Sequence, residues 1–196
     1  MQPLDRPALD ALANRVRGHL EANDSSRAVA EVVEQLGPEL LGYLHAVLPS
    51  PDDADDIFGQ YCERLVVGIE RFRGDSSLRT WSYRIVRNLI IDAARSRQRS
   101  PVRRALTAEI VGVADRVRSQ TATHLRSVVK DRFSQMRAAL PEEERTLLVL
   151  RIDRQLSWKE VATIMLDDTD TASVARLRRR FTRLVARLRE QLDASS

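Results

Sequence analysis

An aromatic plane, an amide and two guanidinium groups recur at helical spacing late in the first half of the chain. Trp81, Arg84, Asn88, Ile91 and Arg95 fall on one strip of a helix at about 100° per residue. Stacking a base on an aromatic face, bonding its edge with Asn and holding phosphates with Arg is how single-stranded nucleic acid is gripped. Packing explains Trp81 alone about as well, so the strip as a whole carries the argument. A second constellation lies near the end. Arg176, Arg179, Arg180, Arg183 and Arg187 fall within about 100° of one another on a helix, while Leu177, Phe181, Leu184, Leu188 and Leu192 mark a different side. A core stripe opposed by an arginine face suits a recognition helix in the DNA major groove, where Arg to guanine is the commonest base contact.

The surrounding residues predict the elements that must position these groups. Gly74 makes a turn, and Ser76 or Ser77 caps a helix starting near Leu78, with Leu78, Ile85, Val86, Leu89 and Ala93 as its core face. Upstream, Val29, Val32, Val33, Leu36, Leu40, Leu41 and Leu44 predict a helix over 27–48 that Gly37 and Pro38 bend or split. Pro49 ends it. Ser50 and Pro51 open another helix, with the stripe Ala54, Ile57, Phe58, Tyr61, Leu65 and Ile69. Asp52, Asp53, Asp55 and Asp56 crowd its first turn, where the helix dipole favours acids. Farther on, Pro141 starts a helix with Glu142, Glu143 and Glu144 in its first turn, and Ser157 with Glu160 forms a capping box for the next.

Charge distribution separates the parts that can meet DNA from those that cannot. The net charge is only +4, yet residues 1–72 hold six basic and thirteen acidic side chains. Residues 73–104 hold nine Arg against two Asp, and residues 172–192 hold seven Arg against one Glu. The two arginine zones suit phosphate neutralisation, and the acidic first third suits a protein partner. No apolar run approaches the roughly 18 residues of a membrane span, and the N-terminus lacks a signal-peptide pattern, so a soluble cytoplasmic chain without membrane insertion is expected. A single Cys62 and the scattered His19, His45 and His124 offer no metal-ligand spacing. With no glycine-rich phosphate loop and no nucleophile signature either, neither a cofactor nor an enzyme is expected.

The run F R G D S S L R T W S Y R I V R N L I I D, residues 72–92, resembles region 2 of the sigma-70 family, and within it the extracytoplasmic-function group. The resemblance implies a segment that melts the promoter −10 element and captures a base flipped from the stack. On that reading Phe72, Arg73, Gly74, Ser76, Ser77, Trp81, Arg84, Asn88 and Arg95 meet the −10 strand, with Phe72, the Gly74–Ser77 loop and Asn88 lining the base pocket. The segment D A D D I F G Q Y C resembles region 2.2, which docks on the clamp helices of core RNA polymerase. Asp53, Asp56, Ile57, Gln60 and Tyr61 are its implied contacts. Here the family's glutamine falls at Gly59 and its final Phe at Cys62. The segments L P E E E R T L L V L R and Q L S W K E V A resemble region 4, which reads the −35 element. Ser157, Lys159, Arg176, Arg179, Arg180, Arg183 and Arg187 are the implied contacts. Where the family has a short L G turn, this chain carries the longer, acidic L D D T D.

The expected fold is all-α, with two small helical domains joined by a flexible linker. Residues 1–26 form an N-terminal extension with a short amphipathic helix around Leu9–Leu20, and 27–97 form region 2. Pro101 and Gly112 make 98–124 a linker with marginal helix at most, and 125–196 form region 4. Core RNA polymerase and promoter DNA are the implied partners, and an anti-sigma factor is left open. Two alternatives are a helix-turn-helix regulator, which leaves the Phe72–Arg95 strip unexplained, and a sigma-like adaptor without productive core binding, motivated by Gly59.

Overall fold

The computed structural model describes residues 4–95, 106–127 and 136–193. The described residues form helices and turns, with no strand among them. The chain divides into two compact units, Met1–Val128 and Val129–Ser196.

In the first unit, α1 (Arg6–Glu21) begins where the Asp5 carboxylate accepts from the Ala8 amide at 2.9 Å. It buries Leu12 and Val16, and is longer than the short helix expected within the N-terminal extension. Asp24 caps α2 (Ser25–Val47) by accepting from Arg27 N at 2.9 Å. Gly37 and Pro38 do not split α2. An interior proline costs about 3 kcal/mol, but each buried Val or Leu returns about 1.5–3 kcal/mol, and α2 buries Val29, Val32, Val33, Leu36, Leu40, Leu41, Leu44 and Val47. Packing therefore keeps the helix whole.

Ser50 caps α3 (Pro51–Gly68), its hydroxyl accepting from Asp53 N at 3.3 Å. The predicted stripe Ala54, Ile57, Phe58, Tyr61, Leu65 and Ile69 is buried throughout. A short 3₁₀ turn, Ile69–Arg71, leads to the Gly74 bend, where φ is 79° and glycine avoids the strain of a side chain. Ser77 then accepts from Thr80 N at 3.0 Å and opens α4 (Leu78–Arg95).

The linker expected over 98–124 does not hold where it is described. Residues 98–105 lie outside the described residues, but α5 (Ala108–Ser127) is a 20-residue helix built into the first unit. Ile110, Val113, Ala114, Val117 and Thr121 form its buried stripe. A Cβ on Gly37 of α2 would sit 3.2 Å from both Val117 Cγ2 and Phe58 Cζ, so the glycine lets α5 approach closely. At its start the Thr107 and Ser26 hydroxyls are 3.0 Å apart and Arg27 donates to Glu109 at 2.8 Å. Contacts that begin at 26–107 and continue at 37–117 set α5 parallel to α2.

The second unit holds α6 (Glu142–Leu148), a π-type turn at Val149–Asp153, α7 (Trp158–Leu166) and α8 (Thr171–Asp193). Leu140, Leu148, Leu184 and Leu188 are buried together, with Met136 and Phe181 against them. The Arg145 guanidinium donates to the carbonyls of Ala138 and Leu140 at 2.6 and 2.8 Å, satisfying groups that precede α6. Ser157 and Glu160 form the predicted capping box, with bonds of 3.3 Å from Glu160 N to Ser157 Oγ and 2.8 Å from Ser157 N to the Glu160 carboxylate.

Candidate nucleic-acid interface

A buried polar anchor holds α4 in place. Arg79 Nε donates to Glu39 Oε1 at 2.9 Å, Nη2 donates to the same oxygen at 2.5 Å, and the Tyr83 hydroxyl donates to it at 2.8 Å. The two charged side chains are only 8% and 6% exposed. A second tie runs to α3, where the Tyr61 hydroxyl donates to Ser82 Oγ at 3.0 Å. These contacts turn the buried side of α4 to Arg79, Tyr83, Val86 and Ile90. The predicted core face is corrected accordingly: Leu78, Val86 and Leu89 are buried, but Ile85 is half-buried and Ala93 exposed. Arg79 and Tyr83 look polar in sequence and are buried because Glu39 satisfies them.

The opposite side of α4 carries the predicted strip. Trp81, Arg84 and Ile91 are half-buried, whereas Asn88 and Arg95 are exposed. Trp81 packs against Phe72 with ring centroids 5.1 Å apart and planes at 47°. Gly68 lies under the indole, since a Cβ there would be 3.4 Å from Trp81 Cζ2. The loop from Phe72 thus meets the strip through an aromatic pair. Arg73, Gly74 and Ser77 are exposed and Ser76 is half-buried. An aromatic platform, an exposed amide and exposed guanidinium groups on one surface can stack bases, bond their edges and hold phosphates.

On α3, Asp53 and Asp56 are exposed and Gln60 half-buried. The other two implied polymerase contacts are corrected. Ile57 is 3% exposed and Tyr61 fully buried, so both belong to the core, where amphipathic spacing put them. Burial raises the Tyr61 pKa and pushes the Cys62 thiol up to about 12, which leaves that thiol protonated and unreactive.

In the second unit, α7, a turn and α8 form the helix-turn-helix. Asp167 adopts the left-handed conformation at φ 54°, where glycine is more usual. The acidic turn that departs from the family pattern acts as a cap. Asp170 Oδ1 accepts from Ser173 N at 2.5 Å, while Asp168 accepts from Asp170 N at 3.0 Å and from the Ser173 hydroxyl at 2.8 Å. The amide of Asp170 and then the Ser173 hydroxyl hold the Asp168 carboxyl below its ordinary pKa. Thr171 therefore starts α8. Leu177, Leu184 and Leu188 are buried, with Phe181 half-buried 5.5 Å from the Trp158 ring.

Arg176, Arg179 and Arg183 are exposed, as are Ser157 and Lys159 at the start of α7. Ser157 is committed to the capping box. Two further arginines have protein partners: Arg180 pairs with Glu143 at 2.8 Å, and Arg187 pairs with Glu144. Both glutamates sit in the first turn of α6. The five predicted arginines of α8 thus sort into three open to a ligand and two tied to α6. Sequence reasoning missed that division, along with α5; the 110, 113, 114, 117, 121 spacing is the signal that could have revealed α5.

The family model described as Sigma-70 region 2 matches residues 32–100, a span that holds most of α2 and all of α3 and α4. The chain is 28% identical over 145 residues to the RNA polymerase sigma-H factor of Pseudomonas aeruginosa, covering 71% of this chain and 75% of that protein. It is 29% identical over 148 residues to the ECF RNA polymerase sigma factor SigW of Bacillus subtilis, covering 70% and 77%. To the RNA polymerase sigma factor YlaC of Bacillus subtilis it is 26% identical over 139 residues, covering 70% and 79%. Residues 32–100 thus carry a sigma-70 region 2, and over about seven-tenths of its length the chain is similar to RNA polymerase sigma factors, one of them of the extracytoplasmic-function group.

Proposed function

We propose that this protein binds core RNA polymerase in the cytoplasm and directs it to specific promoters, with no catalysis of its own. The first unit, residues 1–128, docks on polymerase through Asp53, Asp56 and Gln60 of α3 and takes the −10 element on the α4 strip. The second unit, residues 129–196, reads the −35 element through α8. The observation that carries this reading is the Phe72–Trp81 pair, 5.1 Å between centroids, beside exposed Asn88 on a helix anchored from beneath by Glu39. A base leaving the stack needs such an aromatic surface and a nearby group to bond its edge. A helix-turn-helix regulator acting without polymerase would have no use for that arrangement in the first unit.

Arg176, Arg179 and Arg183 are the proposed DNA-facing arginines of α8, each able to hold a phosphate or read a guanine. Run-off transcription with core enzyme, this protein and promoters selected from genomic fragments tests the reading. A promoter-specific transcript that depends on the added protein is the expected result. Absence of both that transcript and co-purification with core enzyme would contradict it.

A further inference from the structure

Position 59 is where α3 departs from the docking pattern it resembles, with Gly59 in place of a glutamine. The fold places another polar group there. Arg118 of α5 extends over α3, its guanidinium carbon 5.6 Å from the centroid of the Phe58 ring. Its Nη2 lies 3.4 Å from the point a Cβ on Gly59 would occupy, so a longer side chain at 59 would grow into the guanidinium. Arg118 is held as well as close. Its Nη1 donates to Asp115 at 2.9 Å, and its helix is fixed by the burial of Ile110, Val113, Ala114 and Val117. The side chain still keeps 33% of its surface in solvent, and a guanidinium has five N–H donors to offer.

We propose that Arg118 belongs to the polymerase-docking surface, supplying from α5 the polar side chain that α3 lacks at Gly59. The surface is then built from two helices, with Asp53, Asp56 and Gln60 on α3 and Arg118 on α5. This inference rests on the docking role given to α3 above. Its chemistry is specific: arginine only donates, so the polymerase group facing position 59 is an acceptor, a carboxylate or a backbone carbonyl. The basic groups of the partner face the aspartates instead.

The test is binding of the full chain to core RNA polymerase, measured for the wild type, Arg118→Ala, Arg118→Lys and the double variant Arg118→Ala with Gly59→Gln. Loss of one charge-assisted hydrogen bond predicts about tenfold weaker binding for Arg118→Ala. The double variant recovers most of that loss, because a glutamine from α3 can enter the vacated volume. Arg118→Lys keeps the charge without the planar group and binds with intermediate affinity. Thermal melting of each variant confirms folding, since an i,i+3 pair at the surface contributes little stability. Wild-type affinity in both Arg118 variants overturns the inference and leaves the docking role of α3 standing. Tighter binding of Arg118→Ala also overturns it, by making α5 a cover over α3. A wild-type chain that fails to bind core enzyme overturns the docking role and the inference together.

Discussion

The two arginine-rich helices, α4 and α8, use the same residue in opposite ways. In α4, Arg79 and Arg87 are buried while Arg84 and Arg95 point away from the core. In α8 all seven arginines keep solvent exposure, and the buried side is made of Leu177, Leu184 and Leu188 with Ser173. One helix spends part of its charge on folding. The other reserves it for the surface. On the proposed reading α4 is loaded from the side as DNA opens, which calls for a stiff foundation, and a single carboxylate receiving three bonds provides that stiffness. A recognition helix needs only an apolar back and an exposed, basic front.

The largest expected effect breaks the foundation of α4. Glu39→Ala leaves the Arg79 charge buried without its partner and should destabilise the first unit by about 3–5 kcal/mol. Urea unfolding measures it. The matching change in α8, Glu143→Ala, removes a surface partner of Arg180 and should cost at most about 1 kcal/mol. Equal losses at the two sites would erase the contrast between the helices.

The next effect concerns recognition. Asn88→Ala should change base preference at one −10 position by about 1–3 kcal/mol of discrimination, with melting temperature unchanged because Asn88 is exposed. Binding to single-stranded oligonucleotides varied at each position, measured with core enzyme present, checks this. If Asn88→Ala merely unfolds the protein, the strip is structural.

On α8 the ion pairs sharpen the comparison further. Arg183→Ala should weaken DNA binding and lower the salt slope by about 1. Arg187→Ala, whose guanidinium is already paired with Glu144, should change that slope less. Salt titrations of both variants on one duplex decide the order.

The smallest effect is a pH dependence confined to the first unit. Burial lowers the His45 pKa from its ordinary 6.5, against the opposing pull of Asp55 at 3.5 Å. Below about 6.5 the unfolded chain binds a proton that the folded chain resists, so stability falls as the pH drops below that value. His45→Gln should remove this component from the pH profile of thermal melting.

Much of this arrangement is legible in the sequence, and the exceptions share a cause. The α3 stripe, the Ser50 and Ser157 caps and the apolar back of α8 follow from local spacing and capping chemistry, which act within a few residues. The buried side of α4 does not, because Arg79 is buried against Glu39, forty residues earlier. The helix α5 is hidden for a similar reason. Its stripe mixes Ile110 and two valines with Ala114 and Thr121, a weak pattern that becomes a core only because Gly37 clears space on α2. The division of the α8 arginines depends on glutamates of α6, again distant in sequence. For the candidate site, residue types and helical spacing reveal the strip and the arginine face, whereas Ile57 and Tyr61 of the α3 set turn inward with the core.

Permanganate reactivity of promoter thymines tests the central claim most directly, because it reports strand opening at single bases. Core enzyme with the wild-type protein should make thymines of the −10 element reactive. Trp81→Ala should suppress that reactivity while the complex still occupies the −35 element, and Arg176→Ala, Arg179→Ala and Arg183→Ala combined should abolish occupancy. Opening that persists at wild-type level with Trp81→Ala, or a protein that binds duplex DNA without ever opening it in the presence of core enzyme, would contradict the account.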